Sequence, residues 1–205
     1  MKAILAEKLG MTQCFGESGD AVAVTIVRAS PNRIVRVKTK ESDGYAAVEV
    51  GFGERKEKRI ARPQLGHLKG IGNLRYIREF RFRETPEGIG RGDTVDVSAF
   101  VAGDQVKVSG ITKAKGFQGV VKRHDFRGAP KTHGTKHAHR QPGSIGGGGR
   151  AGGRVVKGMR MAGRMGGVRV SVRNLRVMKV DPETHTIAIA GAVPGRRGTL
   201  LEIRG

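Results

Sequence analysis

The chain has 205 residues, room for one large domain or two small ones, and its 39 Lys+Arg against 18 Asp+Glu give a formal net charge of +21. Such a surplus selects polyanions as partners. The apolar runs fall far short of the ~20 residues a membrane helix needs, Glu7 and Lys8 cut the first one too short for a signal peptide, and the single cysteine, Cys14, excludes an internal disulfide. A cytoplasmic protein without a membrane partner is the expectation.

In chain order, three β-branched, alternating segments come first: AVAVTIVRA (residues 21–29), IVRVKTK (34–40) and YAAVEVGF (45–52). Each reads as a half-buried strand, with SPN and SDG as the turns between them. Residues 54–86 are mixed in charge and broken by Pro63 and several glycines, which fits short helices and loops. LRYIREFRF (74–82) fits a helical turn through Leu74, Ile77 and Phe80, or a strand through Tyr76, Phe80 and Phe82. DTVDVSAF and DQVKVSG read as two further strands. At the other end VRVSVRNLRVMKVD, THTIAIAGAV and GTLLEIRG return to alternation, with DPETH as a turn. Short antiparallel strands at both ends predict a mainly β fold, one barrel or sandwich built from both.

The stretch between them differs. Residues 122–154 hold nine glycines and only two large apolar side chains, Phe126 and Ile145, with eight Lys/Arg against the single acid Asp125. Such a segment cannot bury a core of its own. A loop this long needs a function or remains disordered, and a lattice of phosphates would order it by meeting its cations and its unshielded glycine N–H groups. Histidine rings can stack on unpaired bases or contact phosphate and 2′-hydroxyl groups. The flanks, KAKGFQGVVKRHDF and RVVKGMRMAGRMGG, read as half-packed stems, apolar side in and basic side out. Met159, Met161 and Met165 either plug the core or pack on RNA.

Other chemistries fit poorly. His133, His137 and His139 lack the thiolates or spaced fourth ligand of a zinc site, so no metal is expected. GGGRAG (147–152) matches G-x-G-x-x-G but follows a loop and leads into GRVV, not a helix. No spacing singles out an activated nucleophile near Ser109, Ser144 or Ser171, and paired acids such as Glu41 and Asp43 read as a solvated ion-paired face. Neither a cofactor nor a small-molecule substrate is expected. An RNA-modifying enzyme would need a cofactor loop or a convergent acid and base; a general nucleic-acid-binding architectural protein remains the alternative.

LAEKLGMTQCF (5–15), KGFQGVVKRHDFRGAPKTHGTKHAHRQPGSIG (115–146), GRVVKGMRMAGRMGG (153–167) and VDPETHTIAIAGAVPGRRG (180–198) closely resemble the bacterial form of the large-subunit ribosomal protein L-three family, in the family's order over nearly the whole chain. The resemblance implies a translation-factor-like β-barrel, a small α+β insertion and a long non-globular Gly/basic extension. It also implies direct binding of large-subunit ribosomal RNA, help in nucleating subunit assembly, neighbouring ribosomal proteins as partners, and an extension reaching toward the peptidyl transferase centre. On it, residues 1–110 and 168–205 form the barrel body with the insertion at about 54–90, and residues 111–167 the RNA-threading loop and its stems. No catalytic residue is expected. Charge and motif position nominate as RNA-binding Lys113, Lys115, Lys122, Arg123, His124, Arg127, Lys131, His133, Lys136, His137, His139, Arg140, Ser144, Arg150, Arg154, Lys157, Arg160 and Arg164. Many relatives carry a glutamine, methylated in some, where this chain has Gly147; no such modification is expected here.

Overall fold

The computed structural model describes residues 1–16 and 19–205. Its strands are β1 (Ala3–Phe15), β2 (Ala21–Arg28), β3 (Asn32–Lys38), β4 (Ala47–Glu54), β5 (Leu74–Arg81), β6 (Thr94–Val95), β7 (Gln105–Ile111), β8 (Phe117–Gln118), β9 (Gly163–Arg164), β10 (Arg169–Asp181), β11 (Thr186–Ala190) and β12 (Leu200–Arg204). The α-helices are short: α1 (Lys40–Asp43), α2 (Arg62–His67) and α3 (Val120–His124). Contacts divide the chain into two compact units, one of Met1–Thr112 with Arg169–Gly205, the other Lys113–Val168.

The first unit is mainly β, as expected. Six antiparallel strands close a barrel in the order β1-β12-β7-β10-β11-β2. Alternation fills the barrel interior: Ile187 and Ile189 of β11, Leu201 and Ile203 of β12, and Val106 and Val108 of β7 are buried. The N-terminal strands divide. β1 and β2 enter the barrel, whereas β3 and β4 join β5 and β6 in a four-stranded sheet ordered β5-β4-β3-β6.

β1 has no counterpart among the expected strands. Ala3, Ile4, Leu5 and Ala6 are all buried, so both faces are covered and no alternation marks the strand. Lys8, which interrupts the apolar run, is buried too and donates from Nζ to the carbonyls of Val193 (2.9 Å) and Gly195 (3.3 Å). The segment at 74–82, ambiguous by period, is β5, paired along β4 from Leu74↔Glu54 to Arg81↔Ala47. DTVDVSAF requires a correction. Only Thr94–Val95 is a strand, and Val97–Ala99 forms a 3-10 turn because the Asp96 carboxylate accepts from Val97 N–H at 2.6 Å. A side chain that bonds its neighbouring backbone competes with the ladder.

Asn32, read in the sequence as part of a turn, is fully buried. β1 pairs with β12 from Ala3 to Glu7 and with β2 only from Glu7 onward, so at Leu5 one strand edge has no strand beside it. The Asn32 amide takes that place. Its Oδ1 accepts from Leu5 N–H (2.9 Å), and its Nδ2 donates to Leu5 O (3.1 Å) and Ser30 O (2.9 Å). One side chain thus satisfies a buried peptide edge and links the barrel to the start of β3.

Candidate nucleic-acid interface

All eighteen nominated residues lie in the second unit, Lys113–Val168. It contains thirteen Lys/Arg and one acid, Asp125, and so carries +12 of the formal +21. Some cations in the first unit find carboxylates: Lys2 meets Asp104 (2.7 Å), Arg36 meets Asp43 (2.8 Å), and Lys38 lies between Glu79 (2.7 Å) and Glu49 (3.2 Å). Among the described residues, no ion pair falls in the second unit. None of its thirteen cations therefore has an ion-pair partner among the described residues.

Apolar packing does not hold this unit in shape, since Val120 is its only buried side chain among the described residues. The stems accordingly differ from the half-packed expectation. Phe117 is 76% exposed, and Met159 and Met161 are exposed as well, so these two methionines do not plug a core. Backbone bonds serve instead. β8 pairs with β9 through Phe117↔Arg164 and Gln118↔Gly163, and Lys115 N–H donates to Met165 O while Met165 N–H donates to Gly116 O, both at 2.9 Å. Gly166 belongs to this stem at φ +72°, where an added Cβ would stand 2.1 Å from Lys113 O. Only glycine fits there.

From α3 two nominated side chains turn back onto the returning strand. Arg123 Nη1 donates to Met161 O at 2.7 Å, and His124 Nε2 lies 3.1 Å from the same carbonyl. Phe126 lies next to this cluster, with its centroid 6.1 Å from the His124 ring and the Arg160 guanidinium 5.8 Å from its own. Arg123, His124 and Arg160 therefore have structural contacts in addition to any they make with a ligand. Lys113, Lys115, Lys122, Arg154, Lys157 and Arg164 are exposed. Ser144 Oγ donates to Gly146 O (3.1 Å), and Arg150 sits in a 3-10 turn, Gly148–Ala151, closed by Gly153 N–H to Gly148 O (3.1 Å).

The largest grouping is a cleft of about 800 Å³ lined by Arg127, Ala129, Lys131, Thr132, His133, His139 and Arg140. Its neck is a backbone bond from Ala129 N–H to His139 O (3.1 Å). Gly128 permits this bond, because at φ +76° a Cβ would meet His139 O at 2.2 Å. Beyond the neck, Thr135 Oγ1 donates to Pro130 O (2.8 Å) and Ala138 N–H to Thr135 O (3.1 Å). His139 Nδ1 is buried and, among the described residues, without a hydrogen-bond partner. Five of the nominated residues are thus gathered; His137 and Lys136 are exposed and outside the lining. Ala129 and Thr132 were not nominated, and nothing in their charge or spacing signals them. No three His, Cys, Asp or Glu side chains converge as metal ligands among the described residues.

Fold and charge together define a class: a small β-barrel protein whose barrel strands β7 and β10 are joined by a long, unneutralised basic segment. Residues 91–194 match the model of the family described as Ribosomal protein L3. The chain is 49% identical over 203 residues to the large ribosomal subunit protein uL3 of Synechococcus sp. (strain RCC307), covering 98% of this chain and 93% of that relative. It is 48% identical to uL3 of Acidothermus cellulolyticus, covering 100% and 92%, and 47% identical to uL3 of Herpetosiphon aurantiacus, covering 99% and 95%. The chain belongs to the ribosomal protein L3 family.

Proposed function

We propose that this protein is a structural constituent of the large ribosomal subunit in the cytoplasm, without a catalytic role of its own, and that it binds large-subunit ribosomal RNA directly through residues 113–168. In this reading the barrel, of translation-factor type, docks on the RNA surface beside a small α+β insertion. The basic segment extends through RNA toward the peptidyl transferase centre, neighbouring ribosomal proteins adjoin the body, and early binding helps nucleate subunit assembly. Any influence on peptide-bond formation is then indirect, through RNA packing.

The observation that supports this most is the second unit's balance of thirteen cations against one acid, with no ion pair among its described residues. Placing so many like charges together without counter-charges is costly unless an external polyanion neutralises them. Phosphates do so and release counterions. The exposed methionines and Phe117 supply apolar surface that RNA bases can cover.

The test is chemical footprinting of large-subunit ribosomal RNA with the intact protein and with a form in which residues 122–154 are replaced by a short linker. Two protected regions, one lost on deletion, are expected. Protection unchanged by the deletion would remove the segment from the interface, and equal affinity for duplex DNA at matched salt would replace this reading with general nucleic-acid binding.

A further inference from the structure

The cleft closed by the Ala129–His139 bond has features that phosphate neutralisation alone does not require. A lysine-rich tail binds a phosphate backbone without any concavity. Here a glycine at φ +76°, with no room for a Cβ, lets Ala129 bond His139, and both residues line a cleft of about 800 Å³. That lies within the roughly 300–1,000 Å³ range of small-molecule sites, well beyond what an isolated phosphate fills.

The lining combines two chemistries. Arg127, Lys131 and Arg140 supply cations, with no carboxylate paired to them among the described residues. His133 and His139 supply flat aromatic faces and ring nitrogens, and Thr132 a hydroxyl. The Nδ1 of His139, one of the lining residues, is itself buried and has no hydrogen-bond partner among the described residues, an unmet position that costs free energy in the unliganded protein. A neutral imidazole can donate from one nitrogen and accept at the other, the complement a base edge offers.

We propose that this cleft receives a single nucleotide of the RNA, turned out of its stack, with its base against His133 and His139 and its phosphate held by Arg127, Lys131 and Arg140. The proposal rests on the RNA-binding reading above and deepens it. Most of the basic segment then positions the protein through the backbone, while the cleft fixes its register by engaging one base.

The experiment uses the full chain bound to large-subunit ribosomal RNA, probed at base edges with dimethyl sulfate and at the backbone with hydroxyl radicals. His139→Ala and His133→Ala are compared with wild type and with His67→Ala, a histidine change in the first unit. Each cleft variant is expected to restore base-edge reactivity at one or two nucleotides, to leave backbone protection elsewhere intact, and to weaken binding about 10-fold, the scale of one lost base stack. Affinity loss in both with no change at any base edge would overturn the proposal while leaving RNA binding standing. Absence of protection by the wild-type chain would overturn both readings. In parallel, the His133 and His139 ring signals are followed by NMR during titration with uridine and adenosine monophosphates or inorganic phosphate. Larger shifts with the nucleotides are expected; equal shifts would reduce the cleft to an anion site. Saturation by a free mononucleotide below about 10 μM, a typical metabolite-range affinity, would assign the cleft to a soluble ligand instead of RNA.

Discussion

Replacing Asn32 by alanine removes three hydrogen bonds at once and leaves the N–H and C=O of Leu5 facing a small void inside a fully buried region. A buried polar group left unsatisfied costs about 1–3 kcal/mol, so two such groups, partly relieved by relaxation, should cost about 3 kcal/mol. At roughly 2–4 °C per kcal/mol for a chain of this size, Tm should fall by about 6–12 °C. Urea unfolding followed by far-ultraviolet circular dichroism measures the change, with an unaltered denaturant slope as the control. Asn32→Asp gives an internal check. A carboxylate still accepts from Leu5 N–H but cannot donate to Leu5 O or Ser30 O, and burial beside two carbonyls raises its folded pKa. An acid whose folded pKa is raised destabilises above its unfolded value of about 3.9, and this penalty shrinks as pH falls and the group protonates. Asn32→Ala within about 0.5 kcal/mol of wild type, or Asn32→Asp that grows relatively worse on acidification, would refute the assigned role.

Lys38→Met should destabilise the protein by about 2 kcal/mol at neutral pH, because it leaves Glu49 and Glu79 facing one another without their cation. The hydrogen bonds that Lys38 donates to Glu79 and Tyr45 hold it above its ordinary pKa, and Lys38 in turn holds the Glu79 carboxyl below the usual 4.5. The Glu79 share is therefore fully present above pH 4.5 and lost as pH falls through the depressed value, whereas the Lys38 share is present below 10.5 and lost only in stronger alkali. Unfolding curves at pH 7 and pH 3 should differ accordingly; an equal effect at both would contradict the assignment. Gly128→Ala should open the neck at His139 O, seen as faster amide exchange at Ala129 with the barrel's Tm unchanged; protection equal to wild type would show that the neck tolerates a Cβ. If about 6–10 phosphates are neutralised, RNA affinity should fall by on the order of 10³–10⁵ between 50 and 200 mM salt, and a flat response would sink the electrostatic argument.

How much of this was legible in the sequence depends on the range of the signal. β11 and β12 bury every second residue, so their alternation is local and readable. β1 is covered on both faces over Ala3–Ala6, and its Lys8 looks like an interruption until the carbonyls of Val193 and Gly195, far along the chain, are seen to receive it. No window on the sequence contains that information. β3 and β4 alternate like barrel strands; their place in a separate sheet is set by pairing with β5 and β6. In the basic segment the charges were evident from composition, and all thirteen cations could be nominated. Which of them share a cleft could not, since that follows from one backbone bond between Ala129 and His139 and from a glycine whose conformation only the structure reveals.

The barrel's strand order also has a consequence in time. β12 lies between β1 and β7, so the barrel cannot close until Leu200–Arg204 has been made, although β1 is the first strand synthesised. The basic segment is finished earlier, ahead of the 36 residues from Arg169 to Arg204. At roughly 5–20 residues per second, about 2–7 s separate the two events. During that interval the nascent chain presents its most cationic part while the body that would orient it is still open, so the cations are free to capture whichever polyanion is nearest. Under the RNA-binding proposal, a salt-sensitive first contact would let a wrong partner exchange before the ring of strands shuts.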